Sequence, residues 1–305
     1  MVLGGLMSIY GIKVSKFYKL CFRVFSEVRF PLRFSNFSKR MYGNFVHVFL
    51  LMYKERLNVS YRRFVRIVEE SGLARMLCIK RVPHFTTLQK FLQRVDKAMF
   101  EKMVRACHKL LDLKNMEACV DGTGFSNTNP SHHYIKRVDG VQVKNYTKTT
   151  FLTDNNTKLV LNVKTHSDHA SETLDFVPLV HELKSALSCV LADKAHDSNA
   201  SREFCWKNGI EVHIPLRDWK NNRRGYGHKT HFSKQRKKAE KHFDPVKYRR
   251  RALIESVNSA IKRTLGGWLL ARNPSNQQKQ ATLKALTYNL EILDKTIKIR
   301  LFITN

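Results

Sequence analysis

Residues that break regular secondary structure are scarce in this chain. Its 305 residues include 13 glycines and 7 prolines, too few for a collagen-like repeat, long linkers or an all-β fold with many turns. The six cysteines are scattered and form no CxxC pair, so we expect them to be reduced thiols of a cytosolic protein. At this length, one large domain or two smaller ones are expected.

Long apolar runs are missing as well. The longest, at 45–53, is about half of what a bilayer-spanning helix needs, and it contains His47. The apolar first ten residues have no basic segment before them and no small-residue cleavage site, so no signal peptide is expected. The sequence therefore predicts no segment that spans a membrane, and a membrane is not the expected partner.

Acidic residues are few relative to basic ones. The chain has 55 Lys and Arg against 25 Asp and Glu, a formal charge of +30 with pI near 10.1. Such self-repulsion is tolerable when a polyanion neutralises it, which favours nucleic acid first and an anionic membrane second. The hydrophobic content of 43% excludes a purely disordered basic tail.

The basic charge is densest at 217–251, where fourteen Lys or Arg accompany three acidic residues, a balance of +11. Aromatic residues interleave this stretch, as expected where nucleic-acid bases stack beside phosphate contacts. A solvated basic loop is the alternative. The aromatic residues are Trp219, Tyr226, Phe232 and Phe243.

The stretch 59–111 has the periodicity of short helices, interrupted at Gly72 and Pro83. Basic residues occupy their exposed faces. These helices could form a helix-turn-helix DNA reader, with an ordinary helical bundle as the alternative. We therefore assign 41–114 to a helical, DNA-binding region and leave the basic segment 1–40 without an assigned fold.

The pattern then changes to short strands that later alternate with helices. This order predicts an α/β fold with a mixed sheet covered by helices. The predicted strands are 118–121, 146–153, 159–166, 189–193 and 211–215, and the predicted helices are 174–187 and 198–208.

Two carboxylates stand at the ends of predicted strands. Asp121 and Asp193 each follow a short apolar run. If the two strands are adjacent and parallel, their carboxyl ends open into one crevice and the side chains converge. Converging carboxylates are the usual scaffold for Mg²⁺. Asp121-Gly122 could instead be simple turn chemistry.

A third carboxylate lies on a predicted helix that begins at Asp244 and Pro245 and runs to about Arg263. At about 100° per residue, four polar side chains share an arc of about 60°, opposite an apolar packing face. Glu255 is then either half of a solvated helix pair or a metal ligand flanked by cations. The polar stripe is Tyr248, Arg251, Glu255 and Lys262, and the packing face is Leu253, Val257, Ala260 and Ile261.

These residues resemble the motifs of DDE-type transposases of prokaryotic insertion sequences, which have a ribonuclease H-like catalytic core. VDGTGF at 120–125 resembles the first catalytic Asp block and LADKAHDS at 191–198 the second. Tyr248-x2-Arg251-x3-Glu255-x6-Lys262 matches the Y-R-E-K signature at every spacing. The resemblance covers 83–293. It departs at Ala195 and His196, where the family commonly has Gly and Tyr.

The resemblance implies that Asp121, Asp193 and Glu255 are catalytic and hold two Mg²⁺ ions, for which Mn²⁺ can substitute. It implies double-stranded DNA as the partner, both the terminal inverted repeats and the target, and a homodimer at the paired ends. The protein would be located in the cytoplasm of a prokaryote, in association with the nucleoid. The implied DNA-binding residues are Tyr248, Arg251, Lys262, Arg249 and Arg250.

The resemblance also implies a domain organisation, and it leaves alternative functions open. The helical DNA-binding region would precede a ribonuclease H-like mixed sheet flanked by helices at 115–295, with a basic insert at 217–247 and a tail at 296–305. The rival functions are a ribonuclease H-like nuclease without strand transfer and a non-catalytic DNA-binding descendant of a transposase. A zinc site is less favoured because no second ligand pair at finger spacing accompanies the histidines. Those histidines are His132, His133, His166, His169, His228 and His231.

Overall fold

The computed structural model describes residues 12–35, 37, 41–127, 146–167, 173–217 and 234–303, with the backbone alone at 235 and 298–303. Several residues named above lie outside these ranges. They are His132, His133, His169, Trp219, Tyr226, His228, His231 and Phe232.

The first half of the chain is helical, as the periodicity predicts for 59–111, and the segment left without an assigned fold also contains a helix, at Val14–Glu27. Side-chain caps begin two of the helices: the Ser60 hydroxyl accepts from the Arg63 amide at 3.4 Å, and Asp96 accepts from the Ala98 amide at 3.0 Å. The helices are α1 (Val14–Glu27), α2 (Asn44–Leu57), α3 (Tyr61–Glu70), α4 (Leu73–Met76), α5 (Phe85–Arg94) and α6 (Lys97–Ala106).

The second half contains a five-stranded mixed sheet of order β3-β2-β1-β4-β5. The first three strands form an antiparallel meander, and β4 and β5 run parallel to β1. This confirms the predicted α/β class and is consistent with the ribonuclease H-like fold. The strands are β1 (Met116–Ser126), β2 (Tyr146–Asp154), β3 (Val160–His166), β4 (Leu187–Ala192) and β5 (Glu211–His213).

Helices flank this sheet. Ile254 of α11 packs against Cys119, Cys189 and Leu191 on one face, which brings the helix over β1 and β4. The helices are α7 (Thr173–His181), α8 (Asn199–Lys207), α9 (Lys234–His242), α10 (Pro245–Arg249), α11 (Ala252–Leu265) and α12 (Pro274–Ile303).

The strand that carries Asp121 is longer than predicted. The sequence placed its end at Asp121, but β1 continues to Ser126 and Gly122 pairs with Thr150 of β2. The turn interpretation of Asp121-Gly122 is therefore wrong. Gly124 lies under the Tyr146 ring, where an added Cβ would come within 2.9 Å of a ring carbon. Cross-strand pairing with β2, which local sequence does not reveal, carries the strand past the two glycines.

The helix predicted at 174–187 ends earlier. It stops at His181, and Leu187 already opens β4, paired with Met116. An apolar run suits a buried helix and a buried strand equally well, so periodicity alone could not place this boundary.

The helix predicted from Pro245 to Arg263 is divided between α10 and α11. The amides of Arg250, Arg251 and Leu253 each donate to the carbonyl three residues earlier, which tightens the chain at the division. Val257 and Ile261 are buried as predicted, but Leu253 and Ala260 are half-buried. The other buried positions of α11 are Ile254, Asn258 and Leu265.

One hydrophobic cluster extends across the predicted boundary at 114/115. Helix α12 joins the two regions, because it packs against α2 and α6 as well as β3. Its Asn289 side chain accepts from the Val160 amide at 2.9 Å and donates to the Val160 carbonyl at 2.7 Å. The same helix continues to Ile303, through most of the segment 296–305 that was predicted as a tail. No helix within the described ranges has both the length and the hydropathy to cross a bilayer.

Gly266→Ala is expected to destabilise the protein by about 1–3 kcal/mol, because Gly266 ends α11 at φ 84°, where L side chains are strained. An added Cβ would also lie 2.6 Å from the Asn58 amide nitrogen. Gly267→Ala is the matched control, since its Cβ would meet nothing closer than 3.9 Å. Urea denaturation of both variants measures the difference, and equal stabilities would contradict this account.

Candidate active site

Asp121 and Asp193 are brought side by side by the parallel pairing of β1 and β4. The paired register ends at Val120 and Ala192, and the two aspartates are the next residues. The sequence made their convergence conditional on adjacent, parallel strands, and the structure meets that condition. Asp193 Oδ1 also accepts from the Ala195 amide at 2.9 Å, which fixes the carboxylate at the start of a short turn.

Arg251 is the cation that these carboxylates face. Its Nη1 lies 3.6 Å from Asp121 Oδ1 and its Nη2 lies 2.9 Å from Glu255 Oε1. Burial on its own would lower the pKa of Arg251, but Tyr248 and the charges of Asp121, Glu255 and Asp193 raise it above its ordinary value. One guanidinium therefore pairs with Asp121 and Glu255, and the charge of Asp193 acts on it as well.

Lys262 and Tyr248 complete the polar stripe. The Lys262 ammonium lies 5.9 Å from the centroid of the Phe125 ring. Burial lowers the pKa of Lys262, and the charge of Asp121 opposes this shift. Burial raises the pKa of Tyr248, while Arg251 opposes that shift. The structure thus gathers all four residues of the predicted stripe around the carboxylates.

Asn258 is a member of this site that the sequence reasoning missed. It is 8% exposed, and its Nδ2 donates to Asp121 Oδ2 at 2.8 Å. Its position one turn after Glu255 on the same helix was the available signal, since residues three apart lie close together on a helix surface. The Asp121 carboxylate is therefore held by two groups of one helical segment.

A family model covers this part of the chain. The model of the transposase DDE domain matches residues 114–290, more than half of the chain. The chain belongs to the DDE transposase family. The matched range spans the positions of Asp121, Asp193, Glu255 and the Y-R-E-K stripe, and DDE transposases generally use divalent metal ions.

Comparison with individual proteins is less informative about this chain than the family match. The chain is similar to piggyBac transposase in a cryo-EM structure of its synaptic complex with hairpin DNA, at 13% identity and a TM-score of 0.36. The similarity covers 68% of this chain and 49% of that chain, so this chain spans about half of that transposase. No curated protein matches the sequence.

Arg250 points away from the carboxylates of this DDE transposase domain. Its Nη1 lies 3.1 Å from Glu117 Oε2 and its Nη2 lies 3.3 Å from Asn156 Oδ1. Glu117 is four residues before Asp121 on an extended strand, or about 13 Å away. Arg249 is exposed. The structure therefore brings Tyr248, Arg251 and Lys262 to the carboxylates, but not Arg250.

A different set of side chains meets a simple geometric criterion for metal binding. In the described part of the chain, ligand atoms of Cys189, Glu211 and His213 lie within 4.8 Å of one another, and the trio of Asp121, Asp193 and Glu255 is not grouped in this way. His213 Nδ1 accepts from the Asp244 amide at 3.1 Å. Its Nε2 must then carry the proton and donate to Glu211 at 2.9 Å, so it has no lone pair for a metal.

The other atoms of this group are engaged as well. Burial raises the pKa of the Cys189 thiol to about 12, which disfavours the thiolate that a metal requires. Lys247 Nζ lies 2.9 and 2.8 Å from the two Glu211 oxygens. We interpret the group as a structural link between β5 and the start of α10.

His166, one of the histidines considered as a zinc ligand, and Asp197, which lies within the second Asp block at 191–198, both have structural partners. His166 Nε2 lies 2.6 Å from Asp175 Oδ1, and Thr150 donates to the other oxygen of Asp175 at 2.6 Å. Asp197 forms ion pairs with Arg202 and Arg236. These contacts account for both groups without a metal.

Proposed function

We propose that this chain is an insertion-sequence transposase, which cleaves DNA at transposon ends and joins the freed 3′ ends to target DNA with Mg²⁺. The carrying observation is that Arg251 pairs with both Asp121 and Glu255, and that Asp193 follows the strand next to that of Asp121, in a chain of charge +30. A small acidic centre in a strongly basic protein suits a reaction on a polyanion that needs a cation.

The donor set fits the metal ions that the family uses. Carboxylate oxygens are the preferred protein ligands of Mg²⁺ and Mn²⁺, and Asp121 and Glu255 already share one positive group, Arg251. Asp121, Asp193 and Glu255 would hold two ions. Bound there, the ions would activate water or a 3′-hydroxyl and stabilise the leaving oxygen of a phosphodiester. Glu255, with 62% of its side chain exposed, leaves the centre open to a large substrate.

The flanking cations would hold the DNA. Arg251 offers a planar fork that can bind a phosphate by two parallel hydrogen bonds, and Lys262 offers a compact charge. Tyr248 would pack beside them, where its ring already lies 5.3 Å from that of Phe243. Arg249 and Arg250 are exposed and would contact the DNA backbone farther from the reacting bond.

The remaining assignments complete the proposal. Residues 41–114 would be a DNA-binding region and 115–295 the catalytic domain, with the basic insert 217–247 following the DNA. A homodimer would pair the two terminal inverted repeats. The described part of the insert supports this reading, because α9 carries five Lys or Arg among nine residues.

A strand-transfer assay tests the function. The full chain is incubated with Mg²⁺, a target plasmid and DNA carrying the element's own ends, either intact or already cut. We expect cutting of the intact ends and joining of the precut ends to the plasmid. Cutting without joining would indicate a nuclease. DNA binding with neither reaction would indicate a non-catalytic descendant.

A further inference from the structure

Asn258 is a buried amide in direct contact with the carboxylate at the centre of the proposed site. Its helix packs over β1 and β4 through Ile254, with Val257 and Ile261 also buried. Asn258 lies among these apolar positions, at 8% exposure. It is outside the Y-R-E-K stripe.

The two ends of this amide have different surroundings. Nδ2 donates to Asp121 Oδ2 at 2.8 Å. Oδ1 is buried and has no hydrogen-bond partner in the part of the chain that the structure describes. A buried carbonyl oxygen without a partner costs about 1–3 kcal/mol, and an apolar side chain would fill the same space without that cost. What the amide supplies is therefore its N–H donor.

The Asn258 N–H donates to Asp121 Oδ2, and Arg251 Nη1 lies 3.6 Å from the other oxygen, Oδ1. Arg251 is a cation and competes with any ion that the carboxylates hold. Asn258 is neutral, so it can orient Asp121 without opposing the charge of a bound ion. It also approaches from α11, which the buried contacts of Ile254 hold against the sheet.

We propose that Asn258 is a positioning residue, which orients the Asp121 carboxylate for metal binding through its side-chain N–H. This inference rests on the proposed function. Groups that orient metal ligands by hydrogen bonds typically change metal affinity by about 10- to 100-fold when they are removed.

Direct Mn²⁺ binding by calorimetry, on the full chain without DNA, tests the role. Asn258→Ala removes the donor, and we expect about tenfold weaker binding. Asn258→Asp keeps the shape but, when ionised, lacks the donor and repels Asp121, so we expect at least the same loss. Ser259→Ala, at an exposed neighbour on the same helix, is the matched control and should bind as the wild type does.

Wild-type affinity in either Asn258 variant would overturn the proposal. The Asp variant protects the test against misfolding of the Ala variant, and thermal unfolding followed by circular dichroism verifies that each variant is folded.

A metal-free measurement separates this inference from the proposed function. The Asn258 side-chain amide should shift in a ¹⁵N–¹H NMR spectrum when Asp121 is replaced by Ala. An unchanged signal would refute the contact and the proposal with it. If the signal shifts in the Asp121 variant but the wild-type chain binds no Mn²⁺, the metal-dependent function is refuted and Asn258 is a structural residue only.

Discussion

Asp193→Asn is expected to reduce metal-dependent nicking of end-containing DNA by about a thousandfold or more, with DNA binding nearly unchanged. The substitution removes one negative charge from the carboxylates that would hold the ions, and metal stabilisation is worth several kcal/mol of the barrier. The new side chain keeps an oxygen that can accept from the Ala195 amide, now at 2.9 Å from Asp193 Oδ1. The local turn should therefore survive.

The control is Asp112→Asn, which makes the same change of charge at a side chain that is 80% exposed and lies beside Lys114. It should nick like the wild type. Nicking is measured on labelled DNA with Mg²⁺ or Mn²⁺, and binding by mobility shift at the same salt concentration. Undiminished nicking by the Asp193 variant would remove this residue from the catalytic set, and a parallel loss of DNA binding would indicate a folding defect instead.

Glu55→Gln is expected to lower the free energy of unfolding by about 3–5 kcal/mol, the usual cost of breaking a buried charge network. Glu55 lies 2.8 Å from Lys54 Nζ and 3.5 Å from Lys284 Nζ, and both side chains are buried. Gln280 donates to Glu55 at 2.9 Å. The substitution leaves two buried ammonium groups without their counter-charge, where α2 packs on α12.

Urea denaturation measures this loss, with Glu70→Gln on the exposed face of α3 as the control. We expect the control to change the free energy of unfolding by no more than about 0.5 kcal/mol. A Glu55 variant as stable as the control would show that the buried network contributes little.

The same variant should alter the dependence of stability on pH. Burial alone would raise the pKa of Glu55, but Lys54 and Lys284, with hydrogen bonds from Lys54 and Gln280, bring it below its ordinary value. A carboxyl with a lowered pKa in the folded state stabilises above its unfolded pKa of about 4.3, and this contribution disappears as the pH falls through the folded value. The stability difference between the wild type and Glu55→Gln should therefore shrink in acid.

Much of the candidate site could be predicted from the helical periodicity of the sequence. Tyr248, Arg251, Glu255 and Lys262 share one side of a helical segment because their spacings suit the helical repeat. The structure places them around the carboxylates although the segment is divided at 250–251. A helix divided by a tightened turn keeps nearly the same direction of its side chains, so the prediction of the stripe survived an incorrect helix boundary.

Contacts between distant segments were harder to predict. Asn258 was missed because its partner, Asp121, is on a strand in another part of the chain. Arg250 was grouped with its neighbours, yet it turns to Glu117. In both cases the local sequence specifies the helix but not the residues that the sheet presents to it.

The sequence by itself determined the excess of positive charge, the order of strands and helices, and the three acidic residues with their flanking cations. These properties depend on composition and on short-range periodicity. Only the tertiary structure decided that β1 and β4 are parallel neighbours, that Arg251 pairs with both Asp121 and Glu255, and that Asn258 holds Asp121. The physical reason is that strand pairing and helix docking depend on burial and hydrogen bonding between segments far apart in the chain.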